Sequence, residues 1–186
     1  TLVRDLSWLN RHKENFHVVI TDVTASEAVL VLMGPNSRNL LSEISPNKLD
    51  NNNHPFGSAK EIEIGYGIAR AHRISYVGEL GWELYVGSDQ ACHIFEVLRE
   101  AGEKYDLSLC GLHSLDSCRI EKGYRHFGHD ITDEDHVLEA GLGFAVKKEK
   151  EDFIGKDAVI KKDNNGLSKY LYQFQLEDPD LMLFHN

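Results

Sequence analysis

Residues 73–85 read RISYVGELGWELY and place polar, aromatic and turn-forming residues between two apolar runs. Residues 74–77 are predicted to end one strand, residues 78–81 to form a turn, and residues 82–86 to form a returning strand of alternating character. The sequence therefore predicts a β-hairpin at this point. A carboxylate on such a hairpin is displayed at the surface and is not buried.

Two carboxylates lie on this hairpin, at Glu79 and Glu83, beside the aromatic residues Tyr76, Trp82 and Tyr85. Aromatic rings can stack on a flat ring, and a carboxylate can accept hydrogen bonds from its N–H groups. The composition is therefore suited to binding a flat, nitrogen-rich ring. An ordinary hairpin with solvated glutamates has the same composition, and residue types alone favour that interpretation.

The overall composition is that of a globular protein with an acidic surface. The chain has 186 residues, of which 41% are hydrophobic and 27% are charged, and its net charge is -10. This charge disfavours nucleic acid and anionic membranes as main partners, because both would repel it. No apolar run approaches the roughly 20 residues that span a bilayer, and the first residues lack the features of a signal peptide. We expect a cytoplasmic protein, with the mitochondrial matrix as the alternative.

The spacing of candidate residues favours neither a metal centre nor a catalytic nucleophile. The three cysteines lack C-x-x-C spacing and are predicted to stay reduced. The histidines and aspartates of residues 126–136 match no zinc pattern and no helical His-x-x-x-His, so we interpret them as a solvated acidic turn. No Gly-x-Ser-x-Gly motif is found in the sequence.

Alternating strands and helices of mixed spacing predict an α+β fold and not a doubly wound parallel sheet. Arg119 is interpreted as part of a surface charge cluster with Glu121 and Lys122, and contact with a ligand or with the hairpin carboxylates is the alternative. Helices are predicted at residues 2–12, after Gly34-Pro35, from Ser88 or Asp89 to Gly102 and at 109–122, and a helix or helical turn after Phe153. Strands are predicted at 16–21, 28–33, 62–70 and 170–176, with a bulge or close approach at Gly65 and Gly67, and a turn into a strand at 139–146.

Five segments carry a resemblance to a known family. They are PFGSAKEI at 55–62, YVGELGWELYV at 76–86, RIEKGYRHFGHDI at 119–131, LEAGL at 138–142 and FIGKDA at 153–158. Together they resemble the folate-binding part of the glycine-cleavage T-protein (aminomethyltransferase) superfamily. The residues of these motifs are most similar to those of the dimethylglycine and sarcosine dehydrogenase branch. The implied fold has mixed or antiparallel sheets with flanking helices.

The resemblance implies a set of tetrahydrofolate-binding residues. Tyr76 matches the aromatic wall beside the folate, and Glu83 matches the carboxylate that hydrogen-bonds the pterin ring, with Leu84 and Tyr85 adjoining it. One carboxylate can accept both adjacent N–H donors of a pterin edge. Phe144 falls where the dehydrogenases place a folate-contacting tyrosine, so here the ring is kept and the hydroxyl is lost.

Two further departures from the family pattern bear on function. Leu115 stands where T-proteins carry an arginine, which favours the dehydrogenase branch. The catalytic aspartate of the family lies in a Gly-Gly-x-x-Asp-Asp-like stretch ahead of this chain, so we expect no catalytic residue here. The chain is expected to be truncated at both ends, with residues 1–165 forming the central part of the folate-binding domain and residues 166–186 a linker and the start of the C-terminal barrel.

The implied parent enzyme oxidatively demethylates an N-methylated glycine, dimethylglycine or sarcosine, and transfers the one-carbon unit to tetrahydrofolate. FAD is expected only in the missing upstream half, which this fragment would contact within the same parent chain. Whether the fragment alone is an enzyme stays open. The alternatives are a stand-alone folate-dependent aminomethyltransferase or demethylase, and a non-catalytic regulatory homologue of the same fold.

Overall fold

The computed structural model of the protein describes residues 1–13, 15–178, 180 and 181. The chain forms two compact units, Thr1–Cys118 and Arg119–Asn186. Helices and antiparallel strands occur together in the first unit, which confirms the predicted α+β class. Among the described residues, no helix is long and apolar enough to cross a lipid bilayer.

Four antiparallel strands form a sheet in the first unit. In chain order they are β1 (Glu27–Met33), β2 (Ala59–Ile64), β3 (Gly67–His72) and β4 (Gly81–Gly87). In space the order is β1-β4-β3-β2, so β1 and β2 lie at the edges of the sheet. Buried and half-buried residues alternate along β4, as expected for a strand with one covered face.

Helices cover one face of this sheet. In α2 (Ser37–Ile44) and α3 (Ala91–Gly102), apolar residues recur at helical spacing, and Leu40, Leu41 and Ile94 are buried in the core. Further α-helices are α1 (Leu2–His12), α4 (Leu112–Glu121) and α5 (Lys156–Asn165), and 3-10 turns lie at Thr24–Ser26, Glu103–Tyr105 and Gly143–Ala145. The helix predictions are confirmed, although α4 begins later than expected and α3 follows Gln90, without a side-chain cap.

Residues 62–70 form parts of two strands, where the sequence predicted one. The chain turns between Ile64 and Gly67, which lie opposite each other in the β2–β3 pair. Gly65 has a φ of 58°, and a glycine in this region is the usual first residue of a two-residue hairpin turn. A side chain at Gly65 would also approach His93 Nε2 to 2.7 Å, so the turn packs tightly on α3.

The predicted hairpin of residues 73–85 exists, but its outgoing strand lies earlier in the chain. β3 ends at His72 and pairs with β4, while residues 73–80 form the connecting loop. The expected strand at 74–77 is wrong because this segment turns locally: the backbone N–H of Val77 donates to Ser75 Oγ at 3.2 Å. Gly78 follows with a φ of 74°, which bends the chain again.

Three other predicted strands are also wrong. Residues 16–21 and 170–176 adopt no strand in the described part of the chain, and Val19 and Phe174 are 90% and 85% exposed. For residues 139–146 the predicted turn is present, since the backbone N–H of Leu142 donates to the Val137 carbonyl oxygen at 3.0 Å, but a 3-10 turn follows it in place of the expected strand. Apolar composition favours a strand, but a strand also needs a hydrogen-bonded neighbour.

Arg119 is a buried residue of the second unit. Its side chain is 4% exposed and pairs with the carboxylate of Asp130. It also donates from Nη1 to the carbonyl oxygen of Tyr124 at 3.1 Å. The predicted surface charge cluster is therefore wrong for this residue, because the loop that follows α4 supplies its partners.

Glu139 is another buried charge of this unit, with 6% exposure. It pairs with Lys162 Nζ at 2.7 Å and accepts hydrogen bonds from Ser168 Oγ at 2.8 Å and from the Ser168 backbone N–H at 3.0 Å. These bonds, that from Lys162 above all, lower the pKa of Glu139 to about 2. Glu139 therefore links the loop before α5 to α5 itself and to the segment that follows α5.

Replacing Glu139 with glutamine should remove a contribution to stability that depends on pH. The pKa of this carboxyl lies at about 2 in the folded protein and near 4.5 in the unfolded chain. The contribution of Glu139 to stability is thus complete at pH values above the pKa of the unfolded chain, and it is lost as the pH falls toward the pKa of the folded protein. We expect wild type to exceed Glu139→Gln in stability at neutral pH and to lose that advantage on acidification. Urea unfolding at a series of pH values measures this.

The exposed Glu149 offers a matched control for this experiment. The Glu149→Gln variant should follow the wild-type stability at every pH. A difference between wild type and Glu139→Gln that stays constant with pH would contradict the assigned role of Glu139.

Candidate functional site

The strand β4 presents different chemistry on its two faces, because successive side chains of a strand point to opposite sides. Trp82, Leu84 and Val86 are buried in the core beneath the helices. Glu83 and Tyr85 are half-buried on the other face of the sheet and do not belong to this core. We call this second surface the open face, and it carries the polar cluster described next.

A hydrogen bond joins the two β4 residues of the open face. The hydroxyl of Tyr85 donates to Oε2 of Glu83 at 2.9 Å. This bond to a carboxylate, together with partial burial, raises the pKa of Tyr85 above its ordinary value. Within the described residues, Oε1 of Glu83 makes no hydrogen bond. The carboxylate is therefore oriented by one partner and keeps one oxygen for another.

His72 is the neighbour of this pair on β3. It lies directly opposite Glu83 in the β3–β4 register, and its ring centroid is 4.5 Å from that of Tyr85. Its Nε2 is buried and has no hydrogen-bond partner in the part of the chain that the structure describes. A buried imidazole nitrogen without a partner is costly, and a ligand with a polar edge would satisfy it.

Arg70 is the last member of the cluster and lies on β3, as His72 does. Its guanidinium lies 5.1 Å from the centroid of the Tyr85 ring, a distance suited to a cation–π contact. Nη2 of Arg70 pairs with Oε2 of Glu27 on β1 at 2.9 Å. Because Glu27 neutralises Arg70, the carboxylate of Glu83 stays available.

Apolar side chains continue the open face toward the β1 edge. Val29 and Val31 lie opposite Tyr85 and Glu83 in the β1–β4 register and are 47% and 52% exposed. Both valines also line a groove of about 600 Å³ that runs along β1. An apolar surface beside a few oriented polar groups is the usual composition of a site for a flat organic molecule.

The residues that the sequence singled out fall in different places. Glu83 and Tyr85 are brought together by a hydrogen bond on one face of β4. Tyr76 lies half-buried in the 73–80 loop, and the side chain of Leu84 is completely buried in the core. Phe144 belongs to the second unit, where it is 86% exposed in a 3-10 turn.

Sequence reasoning missed His72 and Arg70. Both belong to β3, which was merged with β2 into a single predicted strand. Recognising Gly65-Tyr66 as a hairpin turn would have placed the two side chains on one face of a separate strand, since they are two residues apart. The β3–β4 register then puts that face on the side of Glu83. As for metals, no three His, Cys, Asp or Glu side chains cluster suitably for an ion among the residues that the structure describes.

Comparison with known proteins relates the chain to amine-metabolising enzymes. It is 40% identical over its whole length to the 4-methylaminobutanoate oxidase (formaldehyde-forming) of Paenarthrobacter nicotinovorans, of which it covers 23%. It is 38% identical to the aminomethyltransferase of Halothermothrix orenii, with 94% of the chain and 48% of the relative covered. It is 36% identical to the human mitochondrial sarcosine dehydrogenase, with 86% of the chain and 17% of the relative covered.

The chain thus spans less than half the length of each of these relatives. The predicted resemblance to the T-protein superfamily, near its sarcosine dehydrogenase branch, is confirmed by these matches. A family model also matches residues 2–150, which include all of the open face and most of the chain. The chain therefore belongs to the family of the GCVT N-terminal domain.

Proposed function

We propose that the open face binds tetrahydrofolate, with Glu83 accepting hydrogen bonds from the pterin ring. The observation that carries this proposal is the carboxylate of Glu83, held by the Tyr85 hydroxyl at 2.9 Å. One of its oxygens makes no bond within the described residues and can accept from adjacent N–H donors. Membership of the family supports the same ligand class.

The surroundings of Glu83 fit this ligand. The unpartnered Nε2 of His72 offers a second polar contact beside the pterin edge, and Val29 and Val31 offer an apolar surface for its flat part. Tetrahydrofolate, when bound, supplies the nitrogen atoms that carry a one-carbon unit. In this arrangement Glu83 and Tyr85 bind and orient the ring and are not catalytic residues.

We also propose a role for each of the three other residues that the family resemblance predicted. Tyr76 is proposed as an aromatic wall beside the folate, since it lies in the loop that enters β4. Leu84 is proposed to contribute by anchoring β4 in the core between Glu83 and Tyr85, because its side chain is completely buried. Phe144 is proposed as a ring contact that lacks the hydroxyl of the dehydrogenases.

For the whole protein we propose the oxidative demethylation of an N-methylated glycine, dimethylglycine or sarcosine, coupled to transfer of the carbon unit to tetrahydrofolate. The names of the sarcosine dehydrogenase and methylaminobutanoate oxidase relatives support this reaction class. FAD would bind to residues outside these 186, with residues 1–165 as part of the folate domain and 166–186 as the start of a further domain. The catalytic aspartate is proposed to lie outside this chain as well.

A stand-alone aminomethyltransferase is the second candidate. The relative from Halothermothrix orenii supports it, because the chain covers 48% of that protein. The flavin content of the purified full-length protein separates the two, since the dehydrogenase would carry bound flavin. A full-length protein that neither oxidises an amine nor transfers a carbon unit would favour the regulatory homologue.

Replacing Glu83 with glutamine should weaken tetrahydrofolate binding by about 10- to 100-fold. The change keeps the shape of the side chain but removes a charge-assisted acceptor, and such hydrogen bonds contribute about 1.5–3 kcal/mol. Isothermal titration of tetrahydrofolate into the full-length wild type and variant measures the difference.

Glu79→Gln is the matched control for Glu83→Gln, because Glu79 is exposed in the preceding loop. This variant should bind like wild type. Equal affinities for wild type and Glu83→Gln, in samples with equal melting temperatures, would remove Glu83 from the site.

A further inference from the structure

Two arginines converge on the indole ring of Trp82. The guanidinium of Arg38, on α2, lies 5.9 Å from the ring centroid, and that of Arg73, after β3, lies at 5.4 Å. Both donate to the same atom, Oδ1 of Asn51, with Arg38 Nη2 at 2.7 Å and Arg73 Nη1 at 2.9 Å. Two positive charges therefore lie within hydrogen-bond reach of a single neutral oxygen.

Neither of these arginines is neutralised within the described residues. The only other acceptor of the pair is the carbonyl oxygen of His54, 2.9 Å from Arg73 Nη1, and no described carboxylate lies at ion-pair distance. Arg99 of the same unit, in contrast, pairs with Glu96 at 2.7 Å. Burial and the charge of Arg38 lower the pKa of Arg73, as expected for adjacent like charges.

Hydrogen-bond donors at this cluster are also left unused. Nε of Arg38 and Nε1 of Trp82 are buried and have no partner in the described part of the chain. Buried donors without acceptors are rare in proteins and cost free energy, so each needs a physical reason. An anion between the two guanidinium groups would accept from them and screen their repulsion.

We propose that Arg38 and Arg73 form a binding site for a small, multiply charged oxyanion of the phosphate or carboxylate class. Guanidinium groups match the oxygens of both classes with paired hydrogen bonds, and both groups lie within 6 Å of the Trp82 ring centroid, a distance suited to cation–π contacts. Trp82 and Glu83 are successive residues of β4, so this site lies on the face of the sheet opposite Glu83. It is therefore independent of the proposed folate site.

A purely structural cluster is the rival explanation. Arg73 ties the segment of residues 51–54 to the sheet through Asn51 and the His54 carbonyl. Besides its contact with the Trp82 ring, Arg38 makes only the hydrogen bond to Asn51 among the described residues, and its charge is next to that of Arg73. Arg38 is therefore the residue that separates the two explanations.

The test is isothermal titration of the full-length protein with inorganic phosphate and, separately, with succinate at constant ionic strength. We expect saturable binding of at least one of the two ions, and the one that binds identifies the ligand class. The Arg38→Gln variant should bind that ion at least about tenfold more weakly, since hydrogen bonds to charged groups contribute about that factor or more. The neutralised Arg99 supplies the control: Arg99→Gln should bind like wild type.

Thermal melting of the same proteins completes the experiment. Without added anion, Arg38→Gln should melt close to wild type, because the lost bond is offset by relief of repulsion. Added anion should raise the melting temperature of wild type and not that of Arg38→Gln. Failure of both ions to bind, equal binding by Arg38→Gln, or a variant that is destabilised without anion would each overturn the proposal.

Discussion

Replacing Arg119 with alanine is expected to lower the free energy of unfolding by about 3 kcal/mol. Arg119 is 4% exposed, and its partner Asp130 is 27% exposed, so the pair is largely shielded from water. Removing one member of a buried pair leaves the other charge without its main partner, which typically costs about 3–5 kcal/mol. We place the effect at the lower end because the N–H of His126 still donates to Asp130 at 2.8 Å.

Urea unfolding of the full-length protein measures this loss, and Arg99→Ala is the matched control. Arg99 pairs with Glu96 and Glu103, but its side chain is 44% exposed. Exposed pairs contribute between zero and about 1 kcal/mol, so this variant should remain close to wild type. Equal losses for the two alanine variants would show that burial does not strengthen the Arg119–Asp130 pair.

The position of Arg119 shows what local sequence patterns can predict. Helical periodicity placed the residue correctly on a helix, and its neighbours in the sequence suggested an exposed charge cluster. Its burial depends on Asp130, which lies after the turn that follows the helix and pairs with Arg119. Such a partner is specified by the path of the loop, and periodicity within the helix carries no information about that path.

Strand predictions failed for a similar reason. Residues 28–33 and 82–86 were predicted correctly, and both have hydrogen-bonded neighbours in the sheet. Residues 16–21 have the same apolar, β-branched composition but no strand partner within the described residues, so Val18 and Val19 stay exposed. Composition measures how well a residue fits a sheet, whereas pairing is a property of the whole fold.

The candidate site was predicted in part. The alternating pattern of residues 82–86 predicted the strand that carries Glu83 and Tyr85. Grouping Trp82 with them was wrong, because Trp82 is completely buried on the opposite face of β4. The contributions of His72 and Arg70 depend on the β3–β4 register, in which His72 meets Glu83 and Arg70 meets Tyr85. That register forms across the loop of residues 73–80, and the sequence pattern did not show that a separate strand, β3, precedes this loop.

Replacing Leu84 with alanine should cost about 3 kcal/mol of stability and leave the affinity of the folded protein for tetrahydrofolate nearly unchanged. The Leu84 side chain is completely buried in the core, and truncating a buried leucine costs about 2–5 kcal/mol through lost burial and the cavity left behind. The substitution leaves the backbone of β4 unchanged, and Leu84 keeps its place opposite Leu30 of β1 and Ala71 of β3. Urea unfolding measures the loss, and titration below the unfolding range measures the affinity.

Tyr85→Phe is the matched variant for Leu84→Ala, because it changes the next side chain on the other face of β4. It removes only the hydroxyl that donates to Glu83 at 2.9 Å, so stability should fall by no more than about 1.5 kcal/mol. Affinity should fall instead, since Glu83 loses the group that orients its carboxylate. Opposite responses of neighbouring residues would follow directly from strand alternation, with one side chain serving the core and the next the ligand. A folded Leu84→Ala protein that binds tetrahydrofolate as poorly as Tyr85→Phe would contradict this division of β4.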